Sequence, residues 1–208
     1  MTARPVSPDD RDTASGRLSR LDGDSFTSEQ AGFRHYLDGH ALAWARHIGI
    51  QATDPQGRLI GPFNVFLRSP TISQAYNELI AVETAHTVIP PAIREIVILA
   101  VGVEWQSQYE IYAHTVAARA CGVSEDVIDA ILNRRRSISG TEIEGAAYTF
   151  TRELVTTKHI GEATYRKTSR ALGIRGVVDL VHLIGIYLTT SALLNAFNVP
   201  APDGVIEA

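Results

Sequence analysis

The chain has 208 residues, 45% of them hydrophobic and 20% charged, with 19 Lys and Arg against 23 Asp and Glu for a net charge of -4. That is ordinary composition for one globular domain, enough to bury about 70% of its unfolded surface. The mild acidity excludes an electrostatic nucleic-acid binder, and the single cysteine, Cys121, excludes an intramolecular disulfide or a two-thiol redox cycle.

Residues 1–25 are rich in Asp, Ser, Arg and Pro and read as a flexible N-terminal arm, leaving 26–208 as the folded domain. The arm holds no apolar stretch of the secretory kind, and no apolar run reaches the roughly 20 residues that span a bilayer. The expectation is a soluble cytoplasmic protein with no membrane and no nucleic-acid partner.

From Thr27 onward the apolar period is helical. Thr27 with Gln30 forms a capping box heading one long helix to Ile48. Residues 50–68, punctuated by Pro and Gly, read as a connection. Ser69 and Pro70 open a helix to His86, and Pro90-Pro91 open "AIREIVILAVGVEW", which has almost no polar face. A turn at Ser107 leads into "QYEIYAHTVAARAC", stopped by Gly122. Ser124 caps a short helix, Thr141 with Glu144 boxes the next, and a helix over 162–172 stops at Gly173. The last stretch, "RGVVDLVHLIGIYLTTSALLNAF", is long and apolar, hence central. No period-2 run appears, so the fold class is all-α, with about seven or eight helices.

Polar residues stand out against this background. At about 100° per residue, Ser107, Glu110 and His114 fall within roughly 60° of one another, on the side where Ala118 also lies. Glu95 sits among Ile98, Leu99 and Gly102 on the preceding apolar helix. A carboxylate there is costly unless paired, and a buried histidine is the obvious partner. Two carboxylates and an imidazole in an apolar setting make an acid–base set; the bland alternative is a structural i,i+4 pair with Glu95 as a helix anchor. His35, His40 and His47 do not share the one-face spacing of a metal pair, so no metal site is expected. Trp44 and Trp105 read as core or interface aromatics.

The spacing of Glu95, Ser107, Glu110 and His114 resembles the alkylhydroperoxidase D and carboxymuconolactone decarboxylase superfamily. In its peroxidase branch a Cys-x-x-Cys pair occupies the positions held here by Ser107 and Glu110. The chain therefore resembles the thiol-free, decarboxylase-like branch, also through "GPFNVFLRSP", "REIVILAV", "YEIYAH", "ACGVSEDVIDAI" and "IYLTTSALLNAFNVPAPDG". The resemblance covers about residues 27–205.

It implies an all-α fold around a helical hairpin, assembled as a homo-oligomer, trimer or hexamer, with pockets among the helices. It further implies a lyase without cofactors that decarboxylates a small carboxylated lactone or unsaturated acid. His114 would be the general acid or base, Glu95 its orienting partner, and Glu110 a relay. Ser107, Asn64, Tyr187, Asn195 and Arg68 are candidates for substrate contact. An isomerase, cyclase or lactone hydrolase using the same residues, or a non-catalytic binding protein with a closed site, are the alternatives.

Overall fold

The computed structural model describes residues 16–202. Among them are nine α-helices, a short 3-10 turn at Gly23–Ser25, and no strand beyond an isolated bridge between Thr53 and Leu59. The helices are α1 (Ser28–Gly39), α2 (Ala41–Ile48), α3 (Pro62–Phe66), α4 (Pro70–His86), α5 (Pro91–Glu104), α6 (Gln108–Ala120), α7 (Glu125–Leu132), α8 (Glu142–Thr157) and α9 (Glu162–Ala196). The all-α expectation holds.

Two helices are added to the expected set, while the expected helix over 162–172 and the last helix are counted together as α9. The long first helix breaks at His40, whose backbone (φ -125°, ψ -99°) leaves the helical region just after Gly39. The imidazole compensates: its Nδ1 lies 2.7 Å from the Tyr36 carbonyl oxygen, which only an N–H can serve, and the two rings stack at 4.3 Å. The second addition is α3, a short helix inside the expected connection, begun by Pro62 at its first position. Gly61 before it has φ +62°, and a Cβ there would clash with the Tyr109 ring. Only glycine fits that position.

Both expected capping boxes form, at Thr27–Gln30 and Thr141–Glu144, and the Ser124 hydroxyl accepts from the Val127 amide. Gly173 (φ 71°, ψ 172°) interrupts α9 where the helix was expected to stop. Beyond that break α9 is long and apolar enough to pass as a membrane span by length and composition, contrary to the sequence expectation. Its packing gives the reason for that apolarity: Val177, Leu180, Leu183 and Ile184 are buried in the core with α5 and α8.

Two apolar clusters share the molecule. One gathers α5, α7, α8 and the middle of α9; the other gathers α1, α2, α3 and one face of α6. The α5–α6 hairpin lies between them, and α5 buries every residue from Ile93 to Val103. Residues 1–15 of the expected arm lie outside the described residues. Residues 16–25 are tied to the body: the Arg17 amide donates to Phe197 O at 2.8 Å, and Arg20 pairs with buried Asp54 at 3.1 Å.

Candidate functional site

Gly102 lets α6 lie close on α5: a Cβ there would meet Glu110 Cβ at 3.0 Å. The close packing brings the start of α6 over α5 and gathers Glu95, Glu110 and His114, exposed by only 7%, 3% and 5%. His114 Nδ1 and Glu95 Oε2 are 2.7 Å apart, the distance of a charge-assisted hydrogen bond. On the other side of the ring, Nε2 stands 3.5 Å from Glu110 Oε2, too far for a good hydrogen bond. Glu110 Oε2 is buried and has no hydrogen-bond partner. The edge of the Tyr187 ring meets the imidazole at 5.0 Å, and the tilted Trp44 ring lies 6.4 Å away.

The environment sets the protons. Burial alone would strip the proton from His114, but the negative charge and hydrogen bond of Glu95, reinforced by Glu110, hold its pKa above the ordinary histidine range. Burial pushes the Glu110 carboxyl up; His114 pulls it back only in part, and Glu95 pushes it further. Burial also raises the Tyr187 phenol, with help from both carboxylates. The imidazole and the Glu110 carboxyl thus both hold protons more tightly than they would in water.

These groups line a cavity of about 660 Å³. Tyr36, Trp44, Phe63, Phe66 and Tyr109 supply much of its wall, with Ile80 and Ala81 of α4 opposite. Thr190 also lines it, its hydroxyl 2.7 Å from that of Tyr76. Trp44, 45% exposed, and exposed Cys121 stand where the cavity meets solvent. Burial and then Glu95 raise the Cys121 pKa, keeping it a thiol rather than a thiolate.

Of the sequence candidates, the cavity collects His114, Glu95, Glu110 and Tyr187. It does not collect Asn64, Arg68, Ser107 or Asn195. Asn64 accepts from the Leu21 amide at 3.4 Å and donates to Ser19 O at 3.3 Å, while Arg68 also donates to Ser19 O. Both fasten the N-terminal segment. Asn195 donates to Trp105 O at 2.7 Å, tying the end of α9 to the end of α5. Ser107 takes the N-cap position of α6, but its buried hydroxyl makes no cap bond.

The sequence reading missed Arg94, which lines the cavity beside Glu95. Its guanidinium donates to Glu83 and, at 3.0 Å, to the Thr84 hydroxyl, both on α4. An arginine in the first turn of an apolar helix reads as a surface residue; only the packing of α4 turns it inward. Trp44, read as a core or interface aromatic, is instead part of the cavity wall. Its place beside His114 depends on the break at His40, which local periodicity does not announce. No group of three or more His, Cys, Asp or Glu arranged to hold a metal ion occurs among the described residues.

Residues 70–153 match the family model of carboxymuconolactone decarboxylases. No curated protein sequence matches the chain significantly. Solved structures do. An uncharacterized peroxidase-related protein with an alkylhydroperoxidase AhpD core, from Ralstonia eutropha JMP134, gives a TM-score of 0.69 at 12% identity, over 91% of this chain and 93% of that one. The debrominase Bmp8 in complex with 2,3,4-tribromopyrrole gives 0.68 at 14% identity, over 88% and 90%. A putative antioxidant defence protein AhpD of unknown function from Agrobacterium tumefaciens gives 0.60 at 18%, over 67% and 96%. At these identities the likeness to solved structures is one of fold.

Proposed function

We propose, from the premise that the chain belongs to the carboxymuconolactone decarboxylase and alkylhydroperoxidase D-like superfamily, that it is a cofactor-free acid–base enzyme of the cytoplasm acting on a small conjugated carbonyl compound or lactone. The observation that carries this reading is His114, hydrogen-bonded to Glu95 at 2.7 Å and facing an apolar cavity of about 660 Å³. A histidine serving only as a core anchor would leave no open volume beside it, as a non-catalytic binding protein with a closed site also requires. The debrominase relative with its bound tribromopyrrole is an instance of this fold meeting a small ring compound.

Two forms of reaction use these groups. In the decarboxylating form, the bond to a substrate carboxylate breaks and carbon dioxide leaves. Its electron pair passes into the conjugated carbonyl as an enolate, and His114 returns a proton to the carbon. Glu95 steadies the imidazolium before transfer, and Glu110 relays the replacement proton. In the second form, isomerisation or ring opening, the same histidine moves a proton on a substrate that keeps its carbon skeleton. The engagement of Arg94 by Glu83 and Thr84 favours this second form, because it leaves the cavity without an uncommitted guanidinium for a substrate carboxylate. Acid–base help of this kind contributes about 10² to 10⁴ in rate.

The chain also exposes Leu79 and Val82 of α4 and Val181 of α9, which line one groove and are 52%, 56% and 43% exposed. This face supports assembly into a homo-oligomer, as a trimer or a pair of trimers.

The test of the reaction is a panel of γ-carboxymuconolactone, related lactones and enones, followed by product mass and carbon dioxide release, with His114→Ala run alongside. Turnover should fall by about 10² or more in the variant, its fold and assembly intact. A His114→Ala protein as active as the parent would sink the acid–base reading.

A further inference from the structure

We propose that the ligand of this cavity is an uncharged, ring-bearing carbonyl compound whose oxygen sits between Glu110 and His114. The inference rests on the acid–base reading above and adds the charge class of the substrate and the atom that the site grips.

The charge balance comes first. The guanidinium at the cavity wall already has partners, Glu83 and Thr84, and the charge of a protonated His114 is matched by Glu95 at Nδ1, which leaves Nε2 to face the cavity. An entering carboxylate or phosphate would shed its water and meet the carboxyl groups of Glu95 and Glu110 with no uncommitted guanidinium or ammonium among the lining residues. Desolvation without a compensating charge discriminates strongly against an anion. A neutral molecule incurs no such penalty.

The wall comes second. Tyr36, Trp44, Phe63, Phe66, Tyr109 and Tyr187 present ring faces and edges to a space of about 660 Å³. A volume of this size, lined mainly by aromatic and aliphatic groups with few polar atoms, suits a compact ring system. Burying the ligand's apolar surface against such rings supplies the affinity.

The polar anchor comes third. Glu110 Oε2 is buried, has no hydrogen-bond partner, and stands 3.5 Å from His114 Nε2. A carbonyl oxygen beside the pair, at hydrogen-bond distance from both atoms, would accept from both and satisfy the orphan. Burial pushes the Glu110 carboxyl toward its protonated form, in which it can donate one hydrogen bond, and Nε2–H of protonated His114 can donate the other. The same pair is aimed where negative charge develops if the substrate becomes an enolate, so binding and catalysis draw on one geometry.

A matched pair of probes tests this directly: coumarin, a neutral unsaturated lactone, and coumarin-3-carboxylate, its anionic counterpart. Both are titrated into the full chain at pH 7.5, with binding read from calorimetry. Coumarin is expected to bind saturably, and the carboxylate at least about tenfold more weakly. Glu110→Ala should weaken coumarin about tenfold while leaving naphthalene, which has the rings but no carbonyl, unaffected. Glu110→Gln, which keeps a donor, should restore part of the loss and guards against misfolding of the alanine variant. Equal or tighter binding of the carboxylate, no saturable binding of coumarin, or equal loss for naphthalene would overturn the proposal. None of these readings involves turnover, so they fail or succeed independently of the His114→Ala assay.

Discussion

Replacing Glu95 with glutamine separates the charge at this position from its hydrogen bond. In Glu95→Gln the side-chain amide oxygen can still accept from His114 Nδ1 across the 2.7 Å contact, so geometry is largely kept and only the negative charge goes. A unit charge about 4 Å from the imidazolium centre is worth about 4 kcal/mol at an effective dielectric near 20. That exceeds the roughly 1 kcal/mol net of a neutral hydrogen bond, so the charge dominates. At about 1.4 kcal/mol per factor of ten, the ratio of protonated to neutral His114 at fixed pH should drop roughly several-hundredfold. Burial then prevails, and His114 should titrate below the ordinary histidine range instead of above it. Ring-nitrogen NMR over a pH series reads this directly, with His114→Asn to assign the signal among the seven histidines. An unchanged His114 midpoint in Glu95→Gln would refute the electrostatic argument, whatever happened to activity.

The other expectations concern stability, pH and assembly. Gly61→Ala forces a side chain into a glycine-only conformation, about 1–3 kcal/mol, and drives a Cβ into the Tyr109 ring, about 1–3 kcal/mol more. Urea unfolding should show a loss of about 2–6 kcal/mol, and a change below about 0.5 kcal/mol would refute the close approach of Tyr109 to this backbone. His114 and Glu110 both have raised folded-state pKa values, so the folded chain holds protons that the unfolded chain releases as pH rises. The His114 contribution is full below about 6.5 and is lost as pH climbs through its folded value. The stability advantage of the parent over His114→Gln should therefore narrow as pH rises from about 6.5 upward; an advantage that widens would reverse the sign argued here. Finally, Leu79→Glu with Val82→Glu places charge on the exposed α4 face and should shift the mass measured by sedimentation toward the monomer, while an unaltered oligomer would move the interface elsewhere.

How much of this was legible in the sequence follows the range of the forces involved. Caps and boxes at Thr27, Ser124 and Thr141 are local hydrogen-bond motifs, and the structure forms each of them. The pairing of Glu95 with His114 was readable because a lone carboxylate and a lone imidazole on apolar helices each need a partner. Asn64 and Asn195 were attractive as polar side chains in apolar neighbourhoods and Arg68 as a cation for a substrate carboxylate, yet their partners are backbone carbonyls or amides of distant segments. Residue type does not distinguish a side chain that fastens a chain segment from one that faces a ligand. Arg94 and Trp44 were illegible for another reason. Each owes its position to the way a second helix is laid against it, α4 in one case and the α1–α2 break in the other.

The arrangement of two apolar clusters about the α5–α6 hairpin has a practical consequence. The cavity takes walls from both, Ile89 and Tyr187 from one side and Phe63, Phe66 and Tyr109 from the other. An occupant is thus a shared strut, and the two halves of the molecule should stiffen together when it arrives. Ligand that binds only the folded form at about a hundred times its dissociation constant adds about 2.7 kcal/mol to stability. Because the strut braces both clusters, that gain should reach amide exchange on either side of the hairpin. The protein's own melting curve then becomes a detector for its substrate, able to register a compound before any reaction on it has been devised as an assay.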